Sequence, residues 1–397
     1  MLSVLFDLDD TLIINNAEQF TRVYLNLLGK HLQDRVEPQK MVQALWDGTR
    51  EMVTKSTIAG TLESAFDRVF YPAIGYSKED LSATLTDFYK RIFPLLKNET
   101  APQPEAVGLI ERCLANGWNV AIATNPLFPE MAVHHRLSWA GLDSGRVPFA
   151  AISSYETYHF AKPQPAYFRE VAARISAFDH PAVMVGNDLE NDILPAGQAG
   201  LPIFWVSESD AVLPEGLPAG SARGSFSEIF TWLQEMDTNQ DQPQTKTIPS
   251  LLADLRGGAA AIDAIVREFP ADRCTKRPGR KEWSLREIIC HLRDVDRDIN
   301  LVRINTILRE KEPFVPGIDS DRWSVERDYI HQDEMNALNE FISTRQEIVD
   351  LLENTNPGNW DRLIRHSIFG PTSLKELAAF IVAHDNNHIK QIRNLSS

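Results

Sequence analysis

The sequence predicts an α/β fold: a doubly wound parallel sheet with an early inserted helical cap, followed by a C-terminal all-α four-helix bundle. Three observations carry this. Short, almost wholly apolar runs recur through the first 236 residues and end in polar side chains. Such runs read as parallel strands buried on both faces, and the helix-like stretches between them make the sheet doubly wound. Past a polar, Gln-rich stretch the pattern changes to long amphipathic helices, the signature of a bundle.

Ser3–Phe6 is the first apolar run and stops at Asp7. More than 100 residues separate it from the next run and read mostly as helix, for example over 17–32 and 40–55. That is far too long for a crossover connection, so residues 15–100 are expected to form a cap on a core of 1–14 and 101–236. The remaining runs are 118–123, 149–153, 182–186 and 202–206. Residues 237–249 have linker composition. Residues 250–397 then read as four helices, at about 249–268, 284–311, 333–353 and 373–394. Ser284, Asp333 and Ser373 suit N-caps, and Glu287 and Glu376 stand at capping-box spacing from the two serines.

Composition narrows the function classes. A chain of 397 residues at 43% hydrophobic content supports two domains, or three. Its net charge of −15 argues against nucleic acid and anionic membranes as partners, since phosphate contacts need clustered Lys and Arg. Three widely spaced cysteines without a CxxC suggest neither a disulfide framework nor a thiolate zinc site, which fits a reducing cytoplasm. The opening stretch is apolar but interrupted by carboxylates, so a signal peptide is not expected, and no apolar run reaches membrane-spanning length.

Ligands of open α/β sheets bind beyond the carboxyl ends of the strands. Asp7, Asp9 and Thr11 come after the first run, Thr124 and Asn125 after the second, Lys162 past the third, and Asp188 and Asp192 after the fourth. Carboxylates packed together call for a hard cation, and oxygen donors suit Mg²⁺. One carboxylate can attack phosphorus, and another two residues on can protonate the leaving oxygen and then activate water. Singly, Asp9 and Asp10 could be a solvated turn and Lys162 a surface lysine. The recurrence at four strand ends favours a site. FDLDDTL at 6–12, TN at 124–125, KP at 162–163 and GNDLEND at 186–192 resemble the four ordered motifs of the haloacid dehalogenase superfamily. The resemblance implies Asp7 as nucleophile and Mg²⁺ ligand, and Asp9 as general acid/base that also binds the metal through its carbonyl. It implies Thr124 for phosphate, where the Thr124 hydroxyl and the Asn125 amide can by their chemistry hold phosphoryl oxygens, and Lys162 for the nucleophile and phosphoryl charge. Asp188 would complete the metal site with Asp192 in support. Having Asp9 points to phosphatase rather than dehalogenase chemistry. Asn187 stands where the commonest fourth motif has Asp, so Asp188 is taken as the metal acid. Asp10 and Glu190 are expected to be peripheral. Trp46, Phe66, Phe70 and Tyr71 are aromatic candidates in the cap, with core packing the favoured role.

In the bundle, His384 and His388 are spaced to share one helix face, and His291, flanked by apolar residues, is the best third ligand. Three histidines describe an open site for Zn²⁺, Ni²⁺ or Fe²⁺. EWSLREIICHL at 282–292 and HDNNHIKQI at 384–392 resemble the DinB-like superfamily of three-histidine bundles, related to metal-dependent thiol S-transferases and hydrolases. Asp294 and Asp385 could hold imidazole N–H groups or be helix-surface acids. His331 and His366 fall outside the pattern. The leading expectation is a Mg²⁺-dependent phosphatase of small phosphorylated metabolites fused to a metal-binding bundle. The alternatives are that the bundle carries the main activity, or that it is a dimerisation or docking module. A homodimer through the bundle is a further expectation.

Overall fold

The computed structural model describes residues 1–175, 180–207, 211–238, 246–279, 282–311 and 313–396. Much of the expected linker, residues 239–245, lies outside the described residues. The chain divides into two compact units, residues 1–56 with 60–244 and residues 57–59 with 245–397.

The first unit is built on a six-stranded parallel sheet. Its strands are β1 (Ser3–Phe6), β4 (Asn119–Ile122), β5 (Ala151–Ile152), β6 (Ala182–Gly186), β7 (Ile203–Val206) and β8 (Ala222–Gly224), in the order β5-β4-β1-β6-β7-β8. Between β1 and β4 come the short strands β2 (Ile13–Asn15) and β3 (Thr100–Pro102), which pair antiparallel. They are the two points at which the chain leaves the core for the cap and returns to it. β1 lies between β4 and β6, and all four of its residues are buried, as its unbroken apolar run requires. β8 and the β2–β3 pair have no apolar run and are not evident in the sequence.

The cap holds helices over Ala17–Leu32, Pro38–Thr54, Leu62–Ile74 and Lys78–Asp87. Each begins on a side chain that accepts from the first-turn N–H groups, which would otherwise be unpaired: Asn16, Glu37, Thr61 and Ser77. Gly48 brings the second and third close together, because a Cβ there would stand 2.7 Å from the Phe66 ring. Phe70 and Tyr71 are core residues and Phe66 stacks on Phe70 at 4.8 Å, whereas Trp46 is 45% exposed.

The second unit has the four helices, with two departures. Residues 284–311 do not form one α-helix: Leu285–Val295 and Leu301–Arg309 are joined by a π-helical turn, Asp296–Asn300. Three short strands, Phe314–Val315, Leu363–His366 and Gly370–Ser373, form a small sheet that the bundle expectation omits. Ser284 and Ser373 make their capping boxes with Glu287 and Glu376, and Asp333 caps the third helix. Among the described residues, no helix is long and apolar enough to cross a membrane.

Candidate functional site

Asp7 stands directly after the central strand, and the ladder continues past it: its N–H donates to Val185 at 2.9 Å, and Ala123 N–H donates to Phe6 at 2.7 Å. The ends of β1, β4 and β6 are thereby held side by side. Lys162 Nζ sits between two carboxylates, 2.6 Å from Asp7 Oδ1 and 2.5 Å from Asp192 Oδ1. All three side chains are buried. The other oxygen of Asp192 accepts from the N–H groups of Asn187 and Asp188. Gly186 makes room for this, since a Cβ there would overlap the Asp192 carboxylate. One lysine thus serves two buried acids. Burial, then the Asp7 charge, pushes the Asp192 carboxyl up to about 7. Burial works against the Lys162 ammonium, but Asp192 and Asp7 hold it above the usual lysine range. The excess negative charge fits a cation, with Asp7 beside the oxygen-bearing side chains at the end of β6 as its donors.

Thr124 is buried at the neighbouring strand end, and among the described residues its hydroxyl has no hydrogen-bond partner. Its carbonyl is fixed by Ser153 Oγ at 2.8 Å and Tyr167 OH at 2.6 Å. A positioned hydroxyl left unpaired beside a buried lysine is what an incoming oxyanion requires. Asn125 Oδ1 accepts from the Lys162 N–H at 3.2 Å, tying that loop to β4.

The other residues read from the sequence make contacts of their own. Asp188, expected as the metal acid, caps the π-helical turn Leu189–Ile193, accepting from Glu190 N, Asn191 N and Asn191 Nδ2 at 2.8–3.0 Å. Asn187 instead faces the first strand's end, its Oδ1 accepting from Thr11 Oγ1 at 3.2 Å. The carboxylate of Asp9 is engaged by Asn15 Nδ2 at 3.0 Å and by the buried Arg136. Asp10 and Glu190 are peripheral, as expected, and exposed. Among the described residues, Asp7, Asp9, Asp188 and Asp192 do not gather into one close ligand cluster; the histidine triad does.

In that triad the Nε2 atoms of His291 and His388 each lie 3.1 Å from His384 Nε2. Burial, the largest cause for all three, lowers the imidazole pKa values to about 3 for His291 and about 4 for His384 and His388. Neutral imidazoles are the ligand form, and three ring nitrogens turned on one another repel unless a cation or a shared proton lies between them. The set therefore fits a divalent metal, with one face left open. His388 Nδ1 is oriented by Gln391 Oε1 at 2.9 Å, and Trp283 lies parallel to the His388 ring. Neither expected acid holds an imidazole, nor is either on the surface. Asp294 accepts from Arg293, Arg297, Arg327 and Tyr329. Asp385 pairs with the fully buried Arg345, which also binds Asp296. His331 is exposed beside Asp328, and His366 accepts backbone N–H groups of the turn after it.

Arg136 and Arg345 are not among the residues the motifs single out, yet the sequence carries a signal for both. Arg136 has Ala132, Val133 and Ala140 at helical spacing, and Arg345 has Phe341, Ile342, Ile348 and Val349. An arginine on the apolar face of a helix must find a buried anion.

Fold and site together define a hydrolase of the α/β class joined to a histidine-metal bundle. Residues 1–200 match the family model of the haloacid dehalogenase-like hydrolases, and the chain belongs to that family. Residues 254–392 match the DinB superfamily. A phosphoglycolate phosphatase of Mesorhizobium japonicum is 27% identical over 204 residues, covering 51% of this chain and 81% of its own. Among solved structures, a HAD phosphatase from Thermococcus onnurineus is 16% identical with a TM-score of 0.39, covering 60% of this chain and 100% of its own. YfiT from Bacillus subtilis, described as a probable metal-dependent hydrolase with an unusual four-helix bundle topology, is 19% identical with a TM-score of 0.36. It covers 40% of this chain and 90% of its own.

Proposed function

We propose that the first unit is a Mg²⁺-dependent phosphatase of small phosphomonoesters that works through an aspartyl-phosphate on Asp7. The observation that carries it is the buried Asp7–Lys162–Asp192 group beside the unpaired Thr124 hydroxyl, at adjacent strand ends. The family and the 27% identity to a phosphoglycolate phosphatase support the reaction class. Asp7 attacks phosphorus as the ester P–O bond breaks, while Lys162 and Thr124 hold phosphoryl oxygens. The leaving oxygen takes a proton from Asp9. Water then attacks the aspartyl-phosphate, giving its proton back to Asp9 and releasing phosphate. Arg136 favours the ionised form of Asp9, the form needed in this second step. Asp7, the Asp9 carbonyl and Asp188, with Asp192 in support, would hold Mg²⁺, which would neutralise phosphoryl charge when bound. The test is hydrolysis of an aryl phosphate with and without Mg²⁺, beside Asp7→Asn. Mg²⁺-dependent release should vanish in a folded variant, and turnover near wild type would overturn the proposal.

A second reading concerns the bundle, where three Nε2 atoms converge. His291, His384 and His388 would hold Zn²⁺, Ni²⁺ or Fe²⁺ with positions open for a thiol or water, as a metal-dependent hydrolase or thiol S-transferase requires. Purified chain should carry one such metal, and His384→Ala should lose it. Metal-free chain, or unchanged content in the variant, would refute this. A role as a dimerisation module makes a different prediction: deleting residues 245–397 turns a dimer into a monomer that keeps phosphatase activity.

A further inference from the structure

The second unit contains a cavity of about 210 Å³ that neither reading uses. Aliphatic side chains of the second and last helices wall it, among them Ile304, Leu377 and Ile381, and His384 of the triad reaches it. Its lining includes one cation, Arg303, and no carboxylate. Arg303 Nη2 donates to the Pro316 carbonyl at 2.8 Å, and its Nε–H is buried with no acceptor among the described residues. Among the described residues no acid pairs with it, and burial alone lowers its pKa. His366 brings no relief. Its Nδ1 accepts two backbone N–H groups, so its Nε2 carries the proton and is itself a buried donor without a partner. The cavity therefore offers apolar walls and, at one place, a half-buried cation with no carboxylate beside it. Such a group is costly unless an anion meets it. The volume is below the roughly 300–1,000 Å³ of pockets for drug-sized ligands, so the molecule is metabolite-sized.

We propose that this cavity binds a small organic carboxylate with an apolar body, its carboxylate on Arg303 and its far end turned to His384. The orientation rests on the metal reading of the triad. The charge recognition does not.

The test uses the full chain with hexanoate as probe and hexanamide as its uncharged analogue, by calorimetry and ligand-observed NMR. Hexanoate should bind about tenfold or more tightly than hexanamide. Arg303→Met should abolish the preference and Arg303→Lys should keep part of it, both with unchanged circular dichroism and metal content. In Co²⁺-loaded chain, the hexanoate methyl protons should relax faster than those next to the carboxylate. No binding of either probe, equal binding of both, or a preference that survives Arg303→Met overturns the proposal. Faster relaxation next to the carboxylate puts the anion on the metal and overturns it as well. A chain that takes up no Co²⁺ yet keeps the Arg303-dependent preference refutes the metal reading alone and upholds recognition of the anion.

Discussion

Two buried acids share one lysine in the first unit, and this sets what the site does with pH and metal. The Asp192 carboxyl is raised to about 7, whereas in an unfolded chain it titrates near about 4. Between those values the folded state holds a proton that the unfolded state has released. On this group's account, stability is greatest at the low end of the window and falls as pH rises through it. Mg²⁺ bound there, as the proposed function requires, would supply the missing positive charge, so its stabilising effect should grow from pH 5 to pH 8. We expect an extra increment on the order of 1 kcal/mol, roughly 2–4 °C in Tm. Thermal melts with and without Mg²⁺ at both pH values would show it, and an equal shift at the two would contradict it. Arg136 has a second, separable effect. It pairs with Asp9 from a buried position over the Phe20 and Phe128 rings. Arg136→Met should raise the pKa of Asp9 and move the acidic limb of the kcat profile upward where hydrolysis of the aspartyl-phosphate limits turnover, with a loss of about tenfold or more in that base step. A flat loss across pH would show that Arg136 acts only through folding.

At the scale of elements, both sites are served by π-helical turns: Leu189–Ile193 carries Asp192, and Asp296–Asn300 carries Asp296, the partner of Arg345. A π turn adds a residue to the helix and re-aims the side chains beyond it, and such turns are frequent at functional sites. Nothing in a 3.6-residue apolar pattern announces one, so 284–311 reads as a single helix. The capping boxes at Ser284 and Ser373 are legible because they depend on residue types three positions apart. The strands Leu363–His366 and Gly370–Ser373 are not, being four residues each with polar and Pro positions. Asp188 shows the same limit in the site: its spacing suits a metal acid, and its second task, accepting the backbone N–H groups of the turn that follows, is not announced by that spacing. Two predictions belong here. Arg345→Met leaves Asp296 and Asp385 buried without their cation and should destabilise the bundle by about 3–5 kcal/mol, read from denaturant unfolding. The triad, with imidazole pKa values of about 3–4 in the fold against about 6.5 unfolded, should lose stability as pH falls from about 6.5 towards 4. Any bound metal should leave in the same window, which metal analysis after equilibration at each pH would track.

Over the whole molecule, two sites of opposite donor chemistry lie in separate units. One is made of oxygen donors and a lysine at the ends of parallel strands, the other of buried imidazoles between helices. They have no residue in common, and each unit has a hydrophobic core drawn from its own segment of the chain. Hard Mg²⁺ suits the first donor set and softer transition ions the second, so ligand type alone would keep the two ions apart. Energetic coupling between them would need an element with two arrangements that both sites bias. Reciprocal variants give the sharpest expectation. His384→Ala should empty the bundle of metal and leave Mg²⁺-dependent phosphatase turnover within about twofold of wild type, because changes at sites with no shared partners usually act independently. Asp7→Asn should abolish turnover and leave the bundle's metal content, and the Arg303-dependent preference for hexanoate, as they are. Turnover that falls with the bundle's metal would instead mean that the two units work as one enzyme, with the histidine site acting on the phosphatase through the fold.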